Sequence, residues 1–185
     1  MPTTVPRSAN TVRIIGGRCR GRVIRFPTAA QIRPTPDRVR ETLFNWLGQD
    51  LTGQSTLEPY AGSGVLSLEA LSRAAALAVA SDSDARVVAT LRANAAVLEL
   101  SGLEAVRADA RTFLAHEARA FDVVFLDPPF ASDPWSWLLP ACARRLRPQG
   151  VIYAESSRAI EPPAGLTTVR SAKAGQVVYH LFAPC

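Results

Sequence analysis

Lysine is almost missing from this chain: Lys173 is the only one among 21 basic side chains, and the rest are arginine. Arginine suits bidentate phosphate contacts and base stacking, but codon bias produces the same preference, so residue choice alone assigns nothing. Cysteine is scarce as well. Cys19, Cys142 and Cys185 are odd in number, far apart and in no C-x-x-C pair, which argues against a disulfide framework or a zinc site. His116 and His180 stand alone, without metal-ligand or triad company, and each reads as a surface or satisfied core histidine. No apolar run approaches the roughly 20 residues of a membrane span, and no signal-peptide apolar region opens the chain. Walker phosphate loop, internal repeat and low-complexity tract are all lacking. The expectation is a cytoplasmic protein that uses neither membrane nor metal.

What remains is enough for a packed domain: 185 residues, 48% apolar and 20% charged, with mean hydropathy +0.07. The net charge of +5 is unevenly spread. Residues 1–50 hold nine arginines against Asp37, Glu41 and Asp50, whereas the other 135 residues carry 12 basic and 13 acidic side chains. No acid interrupts Arg13 to Arg25. A solvated basic face is the plain reading; a segment that grips a polyanion explains the concentration better.

Thr11–Ile15 and Arg22–Phe26 are short β-prone runs separated by glycines, which predicts a basic hairpin. Thr35 is then expected to cap a helix with Pro36 in its first turn and Val39, Leu43, Trp46 and Leu47 on one face, ending near Gly48. From Ser55 the pattern alternates. Strands are expected near 55–58, 77–81, 105–108, 122–126 and 151–155, with helices near 63–75, 84–100, 110–117 and 135–146. Thr167–Ser171 and Gln176–Phe182 lack an intervening helix and predict a closing antiparallel hairpin. The result is an α/β fold, a doubly wound, mostly parallel seven-stranded sheet with an N-terminal basic hairpin extension. The expected division is 1–50 for the basic hairpin-and-helix extension and 51–185 for the α/β body.

Two motifs carry chemistry. Glu58-Pro59-Tyr60-Ala61-Gly62-Ser63-Gly64 closes the first body strand and opens a helix, where glycines let a ligand approach the backbone. A third glycine is absent, with Leu66 and Ser67 in its place, which argues against a nicotinamide enzyme. Asp82 and Ser83 end the second strand, where a carboxylate reaches ribose hydroxyls, while Asp84 reads as a helix cap. Asp109 and Ala110 follow the third strand, and Asp109 suits either an adenine amine or a helix N-cap. Asp127-Pro128-Pro129-Phe130 follows the fourth strand. Prolines alone would only stop a strand, but an acceptor before them and an aromatic after them form a chemical unit. An exocyclic amine on a base is a poor nucleophile because its lone pair is delocalised. Asp127 and the Pro128 carbonyl can hold its two N–H bonds so that nitrogen faces a methyl donor, and Phe130 can stack on the base. With strand order 3-2-1-4-5, strands 1 and 4 are neighbours at the switch point, so both motifs meet in one crevice. No Pro-Cys follows the fourth strand, which removes the nucleophile a cytosine-C5 enzyme needs.

The chain resembles the bacterial small-subunit ribosomal RNA guanine-N2 methyltransferases of the type that modify guanine 966. The resemblance runs through Arg13-Ile14-Ile15-Gly16-Gly17-Arg18, Arg20-Gly21-Arg22, Arg33-Pro34-Thr35, Asp37–Leu47, Ala61–Gly64, Leu68–Arg73, Asp127–Phe130 and Ala174–Val177. It implies a class I, Rossmann-like fold, S-adenosyl-L-methionine as cofactor, and guanine N2 of 16S rRNA in the 30S subunit or a late assembly intermediate as target. Donor binding falls on Glu58, Tyr60, Ala61, Gly62, Ser63, Gly64, Asp82, Ser83, Asp109 and Ala110. Catalysis falls on Asp127 to Phe130, and RNA binding on Arg13, Arg18, Arg20, Arg22, Arg33, Arg38 and Arg40. A monomer is expected. Glu58 stands where the family commonly has Asp, Ser67 for a glycine, Asp82 for Glu and Asp109 for a frequent Asn. The rivals are a DNA adenine-N6 or protein-glutamine methyltransferase, and a non-catalytic RNA-binding assembly factor.

Overall fold

The computed structural model describes residues 10–28 and 32–185; Arg7, counted in the basic segment, lies outside them. β1 (Asn10–Arg13) and β2 (Val23–Phe26) form the expected antiparallel hairpin, with Asn10 opposite Phe26 and Arg13 opposite Val23. A single 3₁₀ turn, Gly17–Cys19, fills the connection. Helix α1 (Asp37–Leu47) follows and stops at Gly48, whose φ of 91° is the left-handed conformation that glycine adopts without strain. Thr35 does not cap this helix. The helix starts after Pro36 without a side-chain cap, and the Thr35 hydroxyl donates instead to Glu155, 120 positions along the chain.

The body alternates as anticipated: β3 (Ser55–Glu58), α2 (Val65–Ser72), β4 (Leu77–Asp82), α3 (Ala85–Val97), β5 (Leu103–Arg107), α4 (Ala110–His116), β6 (Phe121–Leu126), α5 (Trp135–Ala143), β7 (Leu146–Ser156), β8 (Leu166–Ala174) and β9 (Val177–Pro184). The sheet order is β5-β4-β3-β6-β7-β9-β8, parallel from β5 to β7 and antiparallel in the last two pairings. The winding reverses between β3 and β6. α5 is shorter than expected because Leu146 already pairs with Phe121, after which β7 slips register and resumes with Val151 opposite Val123.

Side-chain alternation along the strands sends two cores to the two faces. Leu57, Val124, Leu126, Ile152 and Phe182 pack with α4 and α5. Val123, Phe125 and Tyr153 face the other way, into a core that also contains Ile14 and Ile24 of the hairpin and Leu43 and Phe44 of α1. The hairpin and α1 are therefore bonded to the body by shared apolar packing. An ion pair reinforces the contact: Arg40 Nη1 lies 2.6 Å from Glu69 Oε1, with both side chains wholly buried. Arg40 also donates to the carbonyls of Thr35 (3.0 Å) and Arg13 (2.8 Å), and the Ile15 amide donates to Glu69 (2.6 Å). One buried guanidinium thus ties α1, the hairpin and α2 together.

Candidate active site

The glycine loop leaves β3 and enters α2 at the reversal of the winding. The Ala61 amide donates to Ser81 O at 2.9 Å, which fastens the loop to the neighbouring strand. Gly62 and Gly64 both have positive φ, 52° and 72°, but for different reasons. A Cβ on Gly64 would stand 2.3 Å from Leu91 Cδ1, so this glycine serves the packing of α2 on α3. A Cβ on Gly62 would meet only Ile32 Cγ2, at 3.7 Å. That is ordinary van der Waals contact, so it is the left-handed backbone of Gly62, and not crowding, that calls for glycine in this loop.

Asp82 ends β4 with its carboxylate already oriented: Gly62 N–H donates to Oδ2 at 3.0 Å and Asp84 N–H to Oδ1 at 2.9 Å. It is half-buried, and each oxygen keeps acceptor capacity for a ribose hydroxyl. Asp84 caps α3 through the Arg86 amide, 2.8 Å. Asp109 caps α4 by accepting from Thr112 N–H at 2.9 Å, and that bond holds its exposed carboxyl below the usual range. Its capping role is thus occupied, with Ala110 buried behind it. Tyr60 is half-buried, and Ser63 is buried with its hydroxyl accepting from Val65 N–H.

Glu58 turns inward. It is buried, and its Oε2 accepts from the Ser67 amide (3.1 Å) and the Ser67 hydroxyl. Glu58 and Ser67, where the resemblance led to the expectation of Asp and glycine, are thus bonded to each other. Burial pushes the Glu58 carboxyl up to about 8, against the downward pull of the Ser67 bonds.

Asp127 follows β6, where Leu126 is paired with Ala154 of β7. Its carboxyl has no hydrogen bond to the described residues, and burial, followed by the charges of Glu155 and Glu58, holds it well above the ordinary carboxylate range. The Pro129 carbonyl is used locally, accepting from the Ser132 amide (2.9 Å) and hydroxyl (2.7 Å). No such bond engages the Pro128 carbonyl among the described residues. Phe130 is 48% exposed, and it borders a recess of about 100 Å³ together with Pro128, Trp135, Glu155, Ser156 and Arg158.

Glu155 escaped the sequence reading. It sits on β7, is buried, and accepts from Thr35 Oγ1 at 2.7 Å and Tyr153 Oη at 3.0 Å. An acid two residues after a tyrosine in an otherwise apolar strand was the available signal, because period-two spacing puts both on one face.

The arginines divide. Arg13, Arg20, Arg33 and Arg38 are exposed and make no ion pair among the described residues. Arg18 and Arg22 are exposed too, but each guanidinium donates to a carbonyl just past or at the end of α3, Glu99 O and Val97 O, where helix carbonyls lack partners. Arg40, expected on the RNA face, is wholly buried with Glu69 and cannot reach a phosphate. Among the described residues no cluster of three metal-ligating side chains occurs, and no helix is long and apolar enough to cross a membrane.

Comparison with known proteins matches this arrangement to one family. A family model described as "Conserved hypothetical protein 95" matches residues 12–183. Ribosomal RNA small subunit methyltransferase D of Escherichia coli (strain K12) is 41% identical over 184 residues, covering 92% of this chain and 89% of that protein. The solved structure of yhhF from Escherichia coli superposes with a TM-score of 0.85 at 39% identity, over 95% of this chain and 98% of that one. The Thermus thermophilus 16S rRNA N2 G1207 methyltransferase, solved with AdoMet and guanosine, shares the fold at a TM-score of 0.72 and 24% identity, over 96% of this chain and 50% of that one. With the sheet order of a class I methyltransferase and a family match across nearly its whole length, this chain belongs to the family of ribosomal RNA small subunit methyltransferase D.

Proposed function

We propose that the protein transfers a methyl group from S-adenosylmethionine to the exocyclic N2 of a guanine in 16S rRNA, at a guanine-966-type site in the small subunit or a late assembly intermediate. The observation that carries this reading is the juxtaposition, on adjacent strands β3 and β6, of the glycine loop with Asp127-Pro128-Pro129-Phe130. The residues fit the donor: Gly62 gives the loop its left-handed turn, and Asp82 offers a preset carboxylate at the end of β4. Both halves of the site come from one chain, which supports action as a monomer, and a ribosomal target supports a cytoplasmic location.

Bound S-adenosylmethionine supplies an electrophilic methyl on a sulfonium sulfur; a C–S bond breaks, an N–C bond forms, and the amine must shed one proton. Asp127 and the free Pro128 carbonyl accept the two N–H bonds of N2, which turns the nitrogen lone pair toward the donor. Phe130, exposed at the recess, offers a face for the base. In its ionised form Asp127, which accepts one of the two N–H bonds, lies on the path of the proton that N2 loses. Exposed Arg13, Arg20, Arg33 and Arg38 supply phosphate contacts, with Arg18 and Arg22 contributing charge from the end of α3.

The test is transfer of labelled methyl into small subunits, with the product nucleoside identified. Asp127→Ala should lower the rate about a hundredfold or more while S-adenosylhomocysteine affinity stays within twofold. Asp127→Asn keeps a carbonyl acceptor but not the proton acceptor, so it should retain partial activity at most. Wild-type rate in Asp127→Ala refutes the assignment.

A further inference from the structure

Asp127 is not the only acidic group at this end of the sheet. Leu126 is paired with Ala154 in parallel register, so Asp127, one residue past β6, and Glu155 on β7 follow paired positions on neighbours about 4.8 Å apart, and the Glu155 charge is felt at Asp127. Glu155 is buried, yet it lines the recess beside Pro128 and Phe130. Both of its hydrogen bonds, from Thr35 and Tyr153, arrive at Oε1. Oε2 receives none from the described residues and is absent from the enclosed unpartnered atoms, so it keeps its acceptor capacity in a residue that lines the recess. An acceptor removed from bulk water and left free is costly unless a donor arrives. Burial pushes this carboxyl up, against the smaller downward pull of the Thr35 and Tyr153 hydroxyls.

The chemistry of the bases says which donor fits. In guanine the ring nitrogen beside the exocyclic amine, N1, carries a hydrogen; in adenine and cytosine the corresponding ring nitrogen is a lone-pair acceptor. We infer that Glu155 is the specificity-determining residue of the base site, its Oε2 accepting the N1–H of the guanine whose N2 is held at Asp127. This deepens the guanine-N2 reading and rests on it. An adenine or cytosine brought to the same place sets an acceptor against an acceptor, so discrimination is by repulsion as well as by attraction. Thr35, from the basic arm, and Tyr153, from the strand, are positioning residues that fix which oxygen remains for the base.

The experiment uses guanosine and 2-aminopurine riboside as competitive inhibitors of methyl transfer into small subunits. Both carry the C2 amine; only guanosine has N1–H. Guanosine should inhibit the wild type about ten- to a hundredfold better. In Glu155→Gln, which is isosteric, the amide NH₂ can turn to the N1 lone pair of 2-aminopurine, so the ratio should fall to about one or invert while S-adenosylhomocysteine affinity is unchanged. Thr35→Val, which frees Glu155 without removing it, should give an intermediate ratio. A ratio unchanged in both variants, or a wild type that does not prefer guanosine, overturns the inference. A product other than N2-methylguanosine overturns the guanine reading itself, whereas N2-methylguanosine with an unchanged ratio overturns only the role of Glu155.

Discussion

Arg40→Met tests whether the arm is bolted to the body or merely lies on it. The substitution keeps the aliphatic stem and removes a guanidinium that meets Glu69 at 2.6 Å and donates to the Thr35 and Arg13 carbonyls at 3.0 and 2.8 Å. Its contact with Asp37 adds little, because that carboxylate is 53% exposed. The main loss is compensation for Glu69, which is left buried with the Ile15 amide at 2.6 Å and Arg73 at 3.4 Å. Removing one partner of a buried pair costs about 3–5 kcal/mol, and a domain of this size loses roughly 2–4 °C in Tm per kcal/mol. Thermal unfolding should therefore fall by roughly 6–20 °C. Glu69→Met alone should be similarly damaging. Arg40→Met/Glu69→Met should recover much of the loss, since two apolar groups leave no buried charge behind. Differential scanning fluorimetry and urea titration of the four proteins close the double-mutant cycle. A single Arg40→Met that melts within about 2 °C of wild type, or a double variant whose losses simply add, refutes the reasoning.

The exposed arginines should behave in the opposite way. Arg13→Ala/Arg20→Ala/Arg38→Ala should leave Tm almost unchanged but flatten the salt dependence of RNA binding, by about 0.7–0.9 in logarithmic slope for each phosphate no longer neutralised; an unaltered slope removes them from the interface. Glu58 gives a pH signature. Its carboxyl is raised from 4.5 to about 8 in the fold, so its contribution is complete below the unfolded value and is lost as pH rises through the folded one, roughly 5 kcal/mol at full expression. Glu58→Gln should thus gain stability relative to wild type between pH 5 and 8 in urea unfolding, and a pH-independent difference means that Glu58 ionises freely in the native protein.

The strand order and both motifs were legible because each depends on local pattern. β6 is apolar except for Asp122 and is ended by Asp-Pro-Pro, and its position beside β3 follows from the handedness of successive crossovers. Arg40 was misread because it lies between exposed Arg38 and Glu41 in a polar stretch, and its burial depends on Glu69 in a different helix. Glu69 was the better signal: α2 is buried on every side, and an acid inside such a helix needs a cation. Thr35 failed for a related reason. Threonine before proline reads as a helix cap, and only the tertiary fold brings Glu155 within 2.7 Å to compete for the hydroxyl. Local propensity yielded to a buried acceptor.

These long-range contacts explain why a basic segment and a methyl-transfer site occur in one compact chain. Within nine residues of the arm, Ile32 lies against Gly62, Thr35 holds Glu155, and Arg40 locks onto Glu69. Exposed Arg33 and Arg38 lie between these anchors. On the proposed reading, a nucleic-acid backbone gripped at Arg33 and Arg38 would be held by the same segment that borders the glycine loop on one side and Glu155 on the other. Orientation of this kind is effective only if the segment cannot shift, since a displacement of about 1 Å is enough to lower a positioned reaction about a hundredfold. The buried Arg40–Glu69 pair, a costly way to stabilise a fold, is well suited to fixing that position.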